Sequence, residues 1–308
     1  MILITGATGF LGSWAVRSAL SLGMPVTCLV RESADIWRLP QNRNLKIVCI
    51  PVIDWPTYTK KVCPEYVISA DWEGVNKSDR NKYSVQFQNH LRVMELAQAS
   101  LESKVKVFIT FGSQAEVTRQ SDRISEDAPF EPTSPYGEVK AKLFLDLQDL
   151  FISSPTFLVW SRIFSVYGPL DGSDNLLMNL ITSNFRTDNL TVCPQVQKKS
   201  YLSCYDFLEA LKLIIVRFHE MPNLINLGSP IATDVGSLIH FIKNHLGGKV
   251  ENLAPPDVGT NWIPEATTLS KLGWSPKVDF EESLIELNSW CNRNKVNWRG
   301  EILPIART

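Results

Sequence analysis

Histidine is scarce, neither sign of charge is in excess, and no hydrophobic run approaches the roughly 20 residues that cross a bilayer as a helix. A transmembrane helix is therefore not expected. With a formal net charge of -1 and Lys and Arg spread along the chain, nucleic acid and other polyanions are not expected partners. Six cysteines occur (Cys28, Cys49, Cys63, Cys193, Cys204, Cys291), none in CxxC or Cys/His ligand spacing, and two fall inside probable strands. They read as reduced core or surface thiols, and no metal site is expected. The four histidines, His90, His219, His240 and His245, lie on predicted helices without ligand companions and read as structural or surface groups. Internal repeats and low-complexity linkers are also missing. The first residues already read as strand, which leaves no room for a secretion signal, so a cytoplasmic protein is expected.

Apolar side chains are plentiful: at 44% hydrophobic residues, the 308-residue chain can bury a large core as one α/β unit or two joined lobes. Its opening stretch, MILITGATGFLGSW (Met1 to Trp14), is a short apolar run ending at Thr5, followed by Gly6, Gly9 and Gly12 and an amphipathic segment with Phe10, Leu11, Trp14, Ala15, Ala19 and Leu20. That order predicts a buried strand, a tight turn and a helix whose N-terminus can receive a pyrophosphate. Gly6 would take the unusual turn dihedral, Gly9 would leave the helix end open, and Gly12 would let the helix lie close on the sheet.

A second strand, Pro25 to Val30, ends at Arg31. At this point of a dinucleotide fold a carboxylate would bind a ribose 2′-hydroxyl, whereas a guanidinium can pair a 2′-phosphate. Unless Arg31 is merely a solvated charge, it favours NADP(H), with NAD(H) the alternative. Leu45 to Val52 and Tyr66 to Ala70 read as further buried strands, Lys82 to Ser100 as a helix, Val105 to Phe111 as a fifth strand and Phe157 to Trp160 as a sixth. Strands alternating with helices predict a doubly wound parallel sheet with ligands beyond the carboxyl ends of its strands, where Ala70 would lie. Trp72, just past the fourth strand, either borders that cleft or packs in the core. Beyond Pro169 the pattern is less regular: polar loops surround Asp171 to Asn175 and Thr187 to Ser200, and helices are expected near Leu176 to Asn184, Tyr205 to Phe218 and Phe280 to Asn292. The expected division is 1–170 for a dinucleotide-binding domain and 171–308 for a smaller, partly interleaved substrate lobe. Asp206 reads as an acid in the first turn of its helix.

Tyr136 and Lys140 stand four apart at the head of a predicted helix, which places them on one face, one turn apart. An ammonium beside a phenol lowers its pKa toward a value useful for acid-base work. Ser113, just past the fifth strand, could hold the reacting oxygen.

These motifs together resemble an extended short-chain dehydrogenase/reductase of the NAD(P)-dependent sugar-nucleotide epimerase/dehydratase family. TGATGFLG (Thr5 to Gly12) is similar to its TGxxGxxG fingerprint, Tyr136/Lys140 to YxxxK, Ser113 to the active-site Ser/Thr, and RIFSVYGP (Arg162 to Pro169) to RxxNxYGP. INLGSP (Ile225 to Pro230) and KLGWSPK (Lys271 to Lys277) resemble landmarks of the substrate lobe. GSQAE and PTSPYGEVK are similar to the abequose-synthase kind of reductase, although Val117-Thr118 replaces the Tyr-Gly that follows the Glu there. The resemblance implies a Rossmann-type fold, a homodimer, Tyr136 as proton carrier, Lys140 on the nicotinamide ribose, Ser113 on the reacting oxygen and Phe164 beside the nicotinamide. It further implies that Gln114, Ser165 and Tyr167 border a nucleotide-sugar substrate, and that Lys199 stands where an Arg often grips its diphosphate. Gln114 and Ala115 replace the acid-base pair that dehydratases carry, Ser165 an Asn, and Gln86 another Asn, so dehydration is not expected. The expected reaction is 4-keto reduction, with 4-epimerisation on tightly bound NAD as the rival and a non-catalytic nucleotide-binding protein as the third reading.

Overall fold

The computed structural model describes residues 1–76, 78–117, 123–172, 176–185, 190–192, 198–252 and 261–294. Cys193, Thr118 and much of the 173–175 and 187–197 loops lie outside the described residues. The first half alternates strand and helix: β1 (Ile2–Thr5), α1 (Phe10–Ser21), β2 (Val26–Val30), β3 (Leu45–Cys49), α2 (Trp55–Val62), β4 (Tyr66–Ser69), α3 (Tyr83–Glu102), β5 (Val107–Ser113), α4 (Pro135–Phe151) and β6 (Phe157–Ile163). There follow β7 (Val166–Tyr167), α5 (Leu176–Ile181), β8 (Leu190–Val192), β9 (Lys198–Lys199), β10 (Leu202–Ser203) and α6 (Cys204–Arg217). The chain closes with β11 (Leu224–Leu227), β12 (Thr233–Asp234), α7 (Val235–Leu246), β13 (Val250–Asn252), α8 (Thr267–Lys271) and α9 (Phe280–Arg293).

Seven strands form one sheet in the order β11-β6-β5-β4-β1-β2-β3, and every neighbouring pair is parallel. Alternation along β1 builds both faces. Ile2 and Ile4 pack with Ala15, Val16 and Ala19 of α1 and with Phe207, Leu211 and Ile214 of α6. Leu3 points the other way, into a core with Val93 and Leu96 of α3 and Leu143 and Leu147 of α4. The strand order turns back between β1 and β4, and a crevice opens at such a switch point beyond the carboxyl ends.

Three local expectations are corrected. β3 is not buried: it forms the sheet edge with Lys46, Ile47 and Cys49 exposed, and a lysine on an edge strand opposes pairing with other chains. The proline-bearing segment after it folds as α2, because Pro56 falls in the first turn, where its missing N–H removes no helical bond. β5 and β6 each run further than expected, so Ser113 is the last residue of a strand. Beyond residue 170, β11 extends the main sheet beside β6 and α6 packs on α1. Elements α5, α7 and α9 have a separate core, including Leu177, Ile181, Leu238, Ile242, Leu284 and Leu287. Among the described residues, no helix is long and apolar enough to cross a membrane.

Candidate active site and dinucleotide cleft

The glycine turn is shaped by close backbone contacts. Gly6 has φ +67°, and a Cβ there would stand 2.3 Å from the Ala70 carbonyl carbon and the Asp71 amide nitrogen. A Cβ on Gly12 would lie 2.0 Å from the Gly6 oxygen, so α1 can sit this close only without a side chain. Gly9 is the N-cap of α1 and offers no capping side chain, and the first turn contains no acid. The leading N–H groups of α1 are thus left for an anion. In front of them is a cleft of about 360 Å³, lined by Gly6, Gly9, Val30, Arg31, Ala70 and Trp72 among others. This cradle fits the pyrophosphate of a dinucleotide. Gly6→Ala is expected to lower stability by about 2 kcal/mol in urea denaturation, since it adds left-handed strain to a backbone clash.

Of the other predicted contacts, Thr5 is buried and donates from Oγ1 to Asp71 Oδ1 at 2.7 Å, bracing the end of β4 rather than facing the cleft. The Phe10 and Leu11 side chains pack half-buried against the core, so what these two residues offer an anion is their backbone N–H groups, the first of α1. The loop after β4 forms its far wall and is gripped from α3. Gln86, fully buried, accepts from Trp72 Nε1 at 2.7 Å and donates to the carbonyls of Gly74 and Asp79. Asn89 both accepts from the Glu73 amide and donates to the Glu73 carbonyl, each at 2.9 Å. Arg31 lines the cleft and pairs with the Glu73 carboxylate. Arg38 and Arg92, both missed in the sequence, also line it.

The catalytic candidates meet at the carboxyl end of β5. Ser113 accepts from the Ala115 amide at 3.2 Å and takes part in a capping box with Glu116, whose carboxylate receives the Ser113 amide. Tyr136 stands in the first turn of α4, which Ser134 caps by accepting from the Gly137 amide at 3.2 Å. The Ser113 side chain is close enough to the Tyr136 phenol to favour its ionised form. Trp72 meets the Tyr136 ring edge-on at 6.1 Å, and the Arg80 guanidinium lies 4.4 Å from its centroid.

The expected pairing of Lys140 with the phenol needs correction. Lys140 Nζ donates to the Phe111 carbonyl at 2.6 Å and lies 3.4 Å from the centre of a Trp72 ring. Burial raises the Tyr136 pKa, while the Ser113 hydrogen bond and the Arg80 charge oppose that rise. Arg80, a residue that no motif marks, places its guanidinium over the ring of the phenol. Burial also lowers Lys140, to about 7, against the opposing carboxylates of Glu116 and Asp71. An unfolded lysine holds its proton up to about pH 10.4, so the folded state binds fewer protons above about pH 7 and stability rises with pH there. Between about pH 7 and pH 8.5 the stability from urea denaturation should grow by about 1.5 kcal/mol, and Lys140→Met should flatten that climb.

A second, more polar cleft of about 270 Å³ is lined by Arg80, which lies over the Tyr136 ring, and by Gln114, Thr133, Ser165, Lys199 and Trp262 among others. Gln114, Ser165 and Lys199 therefore line one cleft, and Gln114 Oε1 is buried with no hydrogen-bond partner among the described residues. The side chains of Phe164 and Tyr167 line neither cleft. Phe164 has no exposed surface and packs with Val117, Ile124 and Ala128. Tyr167 lies in the separate core formed with α5, α7 and α9, its hydroxyl 2.5 Å from Ser283 Oγ and its ring edge-on to Phe280. The motif around them fixes backbone path, whereas burial of each side chain depends on distant segments. Asp206 is in the first turn of α6 as expected, but its carboxylate accepts from the Lys277 and Val278 amides at 2.9 and 3.1 Å, tying down the preceding turn of α9.

A dTDP-D-glucose 4,6-dehydratase of Mus musculus is 24% identical over 218 residues, a match covering 66% of this chain and 61% of that relative. The match thus spans about three-fifths of the relative's length. The UDP-glucose 4-epimerase of Thermotoga maritima, solved with UDP-glucose, has a TM-score of 0.81 at 23% identity, covering 95% of this chain and 98% of its own. A dTDP-glucose 4,6-dehydratase of Streptomyces venezuelae, solved with NAD bound, has a TM-score of 0.81 at 18% identity, covering 96% and 97%. At such identities these structures establish the fold. The family profile described as NAD dependent epimerase/dehydratase matches residues 2–228. With a glycine turn after β1, an all-parallel sheet and this profile match over most of its length, the chain belongs to the NAD dependent epimerase/dehydratase family.

Proposed function

We propose that the protein is an NAD(P)-dependent oxidoreductase that reduces the 4-keto group of a nucleotide-linked sugar. The observation that carries this reading is that Tyr136 touches both clefts through their walls: its ring meets Trp72 of the glycine-cradled cleft and lies under Arg80 of the polar cleft, which also holds Lys199. When bound, the nicotinamide supplies the hydride, which no side chain can provide. Tyr136 gives its phenolic proton to the forming sugar alkoxide, Ser113 holds that oxygen by a hydrogen bond, and Arg80 stabilises the phenolate left behind. Lys199 and Arg80 supply positive charge for a diphosphate, and Gln114 Oε1 offers an acceptor for a sugar hydroxyl. Gln114 and Ala115 bring no acid or base to this cleft, and Glu116 is fully buried against Arg162, which leaves water elimination without its usual groups. Arg31 at the adenosine end is the feature that favours NADP(H).

The likeness to a UDP-glucose 4-epimerase supports a second reading, in which Tyr136 takes the proton from a sugar hydroxyl and returns it after the ring face is exchanged. One experiment separates them. Purified protein is incubated with UDP-, dTDP- and CDP-linked sugars and their 4-keto forms, with NADH or NADPH. Reduction predicts one reduced cofactor consumed per 4-keto sugar, epimerisation predicts isomerised sugar with no net consumption, and the absence of both with every sugar would overturn the proposal.

A further inference from the structure

The loop after β4 carries a carboxylate that meets the adenosine end of the first cleft from the side opposite Arg31. Arg31 Nη1 pairs with Glu73 Oε1, and both side chains are about half exposed and line the cleft. This ion pair ties the end of β2 to the loop after β4, across the mouth of the cleft. Glu73 is the fixed member, because Asn89 of α3 holds its amide and its carbonyl. Its carboxylate has a second cation in reach: Arg92 Nη1 is 3.5 Å from Glu73 Oε2, and Arg92 Nε is 3.7 Å from Asp71 Oδ2. Arg31 can therefore leave Glu73 without orphaning the carboxylate, whereas a phosphate drawn to Arg31 would meet a carboxylate already seated there.

We propose that Glu73 is a specificity-determining residue of the cofactor cleft: by holding Arg31 and opposing like charge, it competes with a ribose 2′-phosphate for the guanidinium. The inference rests on the reading of this cleft as a dinucleotide site. It qualifies the sequence argument from Arg31, since a guanidinium at the end of β2 confers a preference for a 2′-phosphate only to the extent that its own neighbours release it.

The test is isothermal titration of 5′-AMP and adenosine 2′,5′-bisphosphate into wild type, Glu73→Gln, Arg31→Gln and the double variant, with NAD as a control ligand. Glu73→Gln keeps side-chain shape at a half-exposed position whose main chain is held independently, and circular dichroism confirms that each variant is folded. Glu73→Gln is expected to tighten the bisphosphate about tenfold while changing AMP by less than about twofold, and most of that gain should vanish when Arg31 is also replaced. An unchanged bisphosphate-to-AMP ratio in Glu73→Gln, or a gain equally large without Arg31, would overturn the role of Glu73 while leaving the dinucleotide site standing. Failure of NAD, AMP and the bisphosphate alike to bind wild type would instead remove the underlying reading, and the proposal with it.

Discussion

Tyr136→Phe is expected to lower turnover of the nucleotide sugar by about 10³-fold and to leave nicotinamide-nucleotide affinity within about twofold of wild type. The substitution deletes one oxygen atom and nothing else of the packing: the ring still meets Trp72 edge-on and still lies under Arg80. What it removes is the phenolic proton that the proposed reduction delivers to the forming alkoxide. Because the phenol is shifted upward by burial, it is almost wholly protonated at neutral pH, suited to donating a proton in the reductive direction. Single-turnover kinetics and a separate binding titration check the two halves of the expectation. A variant that kept wild-type turnover would remove Tyr136 from the chemistry.

Glu116→Gln is expected to destabilise the fold by about 3–5 kcal/mol, the largest stability effect foreseen here. Glu116 and Arg162 are both fully buried, with Arg162 Nε 3.3 Å from Glu116 Oε2. Trp160 Nε1 donates to the same oxygen at 3.1 Å, and the Ser113 amide donates to the other. Burial pushes the Glu116 carboxyl up, and Arg162 together with these donors pulls it back. Neutralising one partner leaves a guanidinium without its counter-charge in a dry interior, which costs more than the pair itself contributes. Replacing both with Glu116→Gln and Arg162→Met should recover a substantial part of the loss in urea denaturation. A single variant within about 1 kcal/mol of wild type would mean that solvent reaches the pair. Since Glu116 anchors the Ser113 amide, Glu116→Gln should also reduce turnover, linking the stability of this pair to the geometry of the site.

The sequence disclosed those parts of the site that local geometry dictates. Three glycines between a strand and a helix leave few alternatives to an anion-binding turn, and a Tyr and a Lys four apart at a helix start must share a face. What they touch on that face was another matter: Lys140 turns toward the Phe111 carbonyl and Trp72, because β5 and the loop after β4 lie there. Arg80, Glu73 and Arg92 could not be read in advance, since each reaches the site by the folding of a loop or helix remote from any motif. The side chains of Phe164 and Tyr167 are buried for the converse reason. Their motif sets where the backbone runs, but segments around Ile124 and Ser283 bury the side chains. β3 was misjudged because apolar composition alone does not tell a central strand from an edge.

Rapid mixing of the nicotinamide-loaded protein with nucleotide sugars, followed by nicotinamide absorbance, tests the central claim most directly. At least one nucleotide sugar or its 4-keto form should change the redox state of the nicotinamide within a single turnover, and Tyr136→Phe should slow that change by about 10³-fold. A nicotinamide spectrum left unaltered by every nucleotide sugar, or altered as fast in Tyr136→Phe as in wild type, would contradict it.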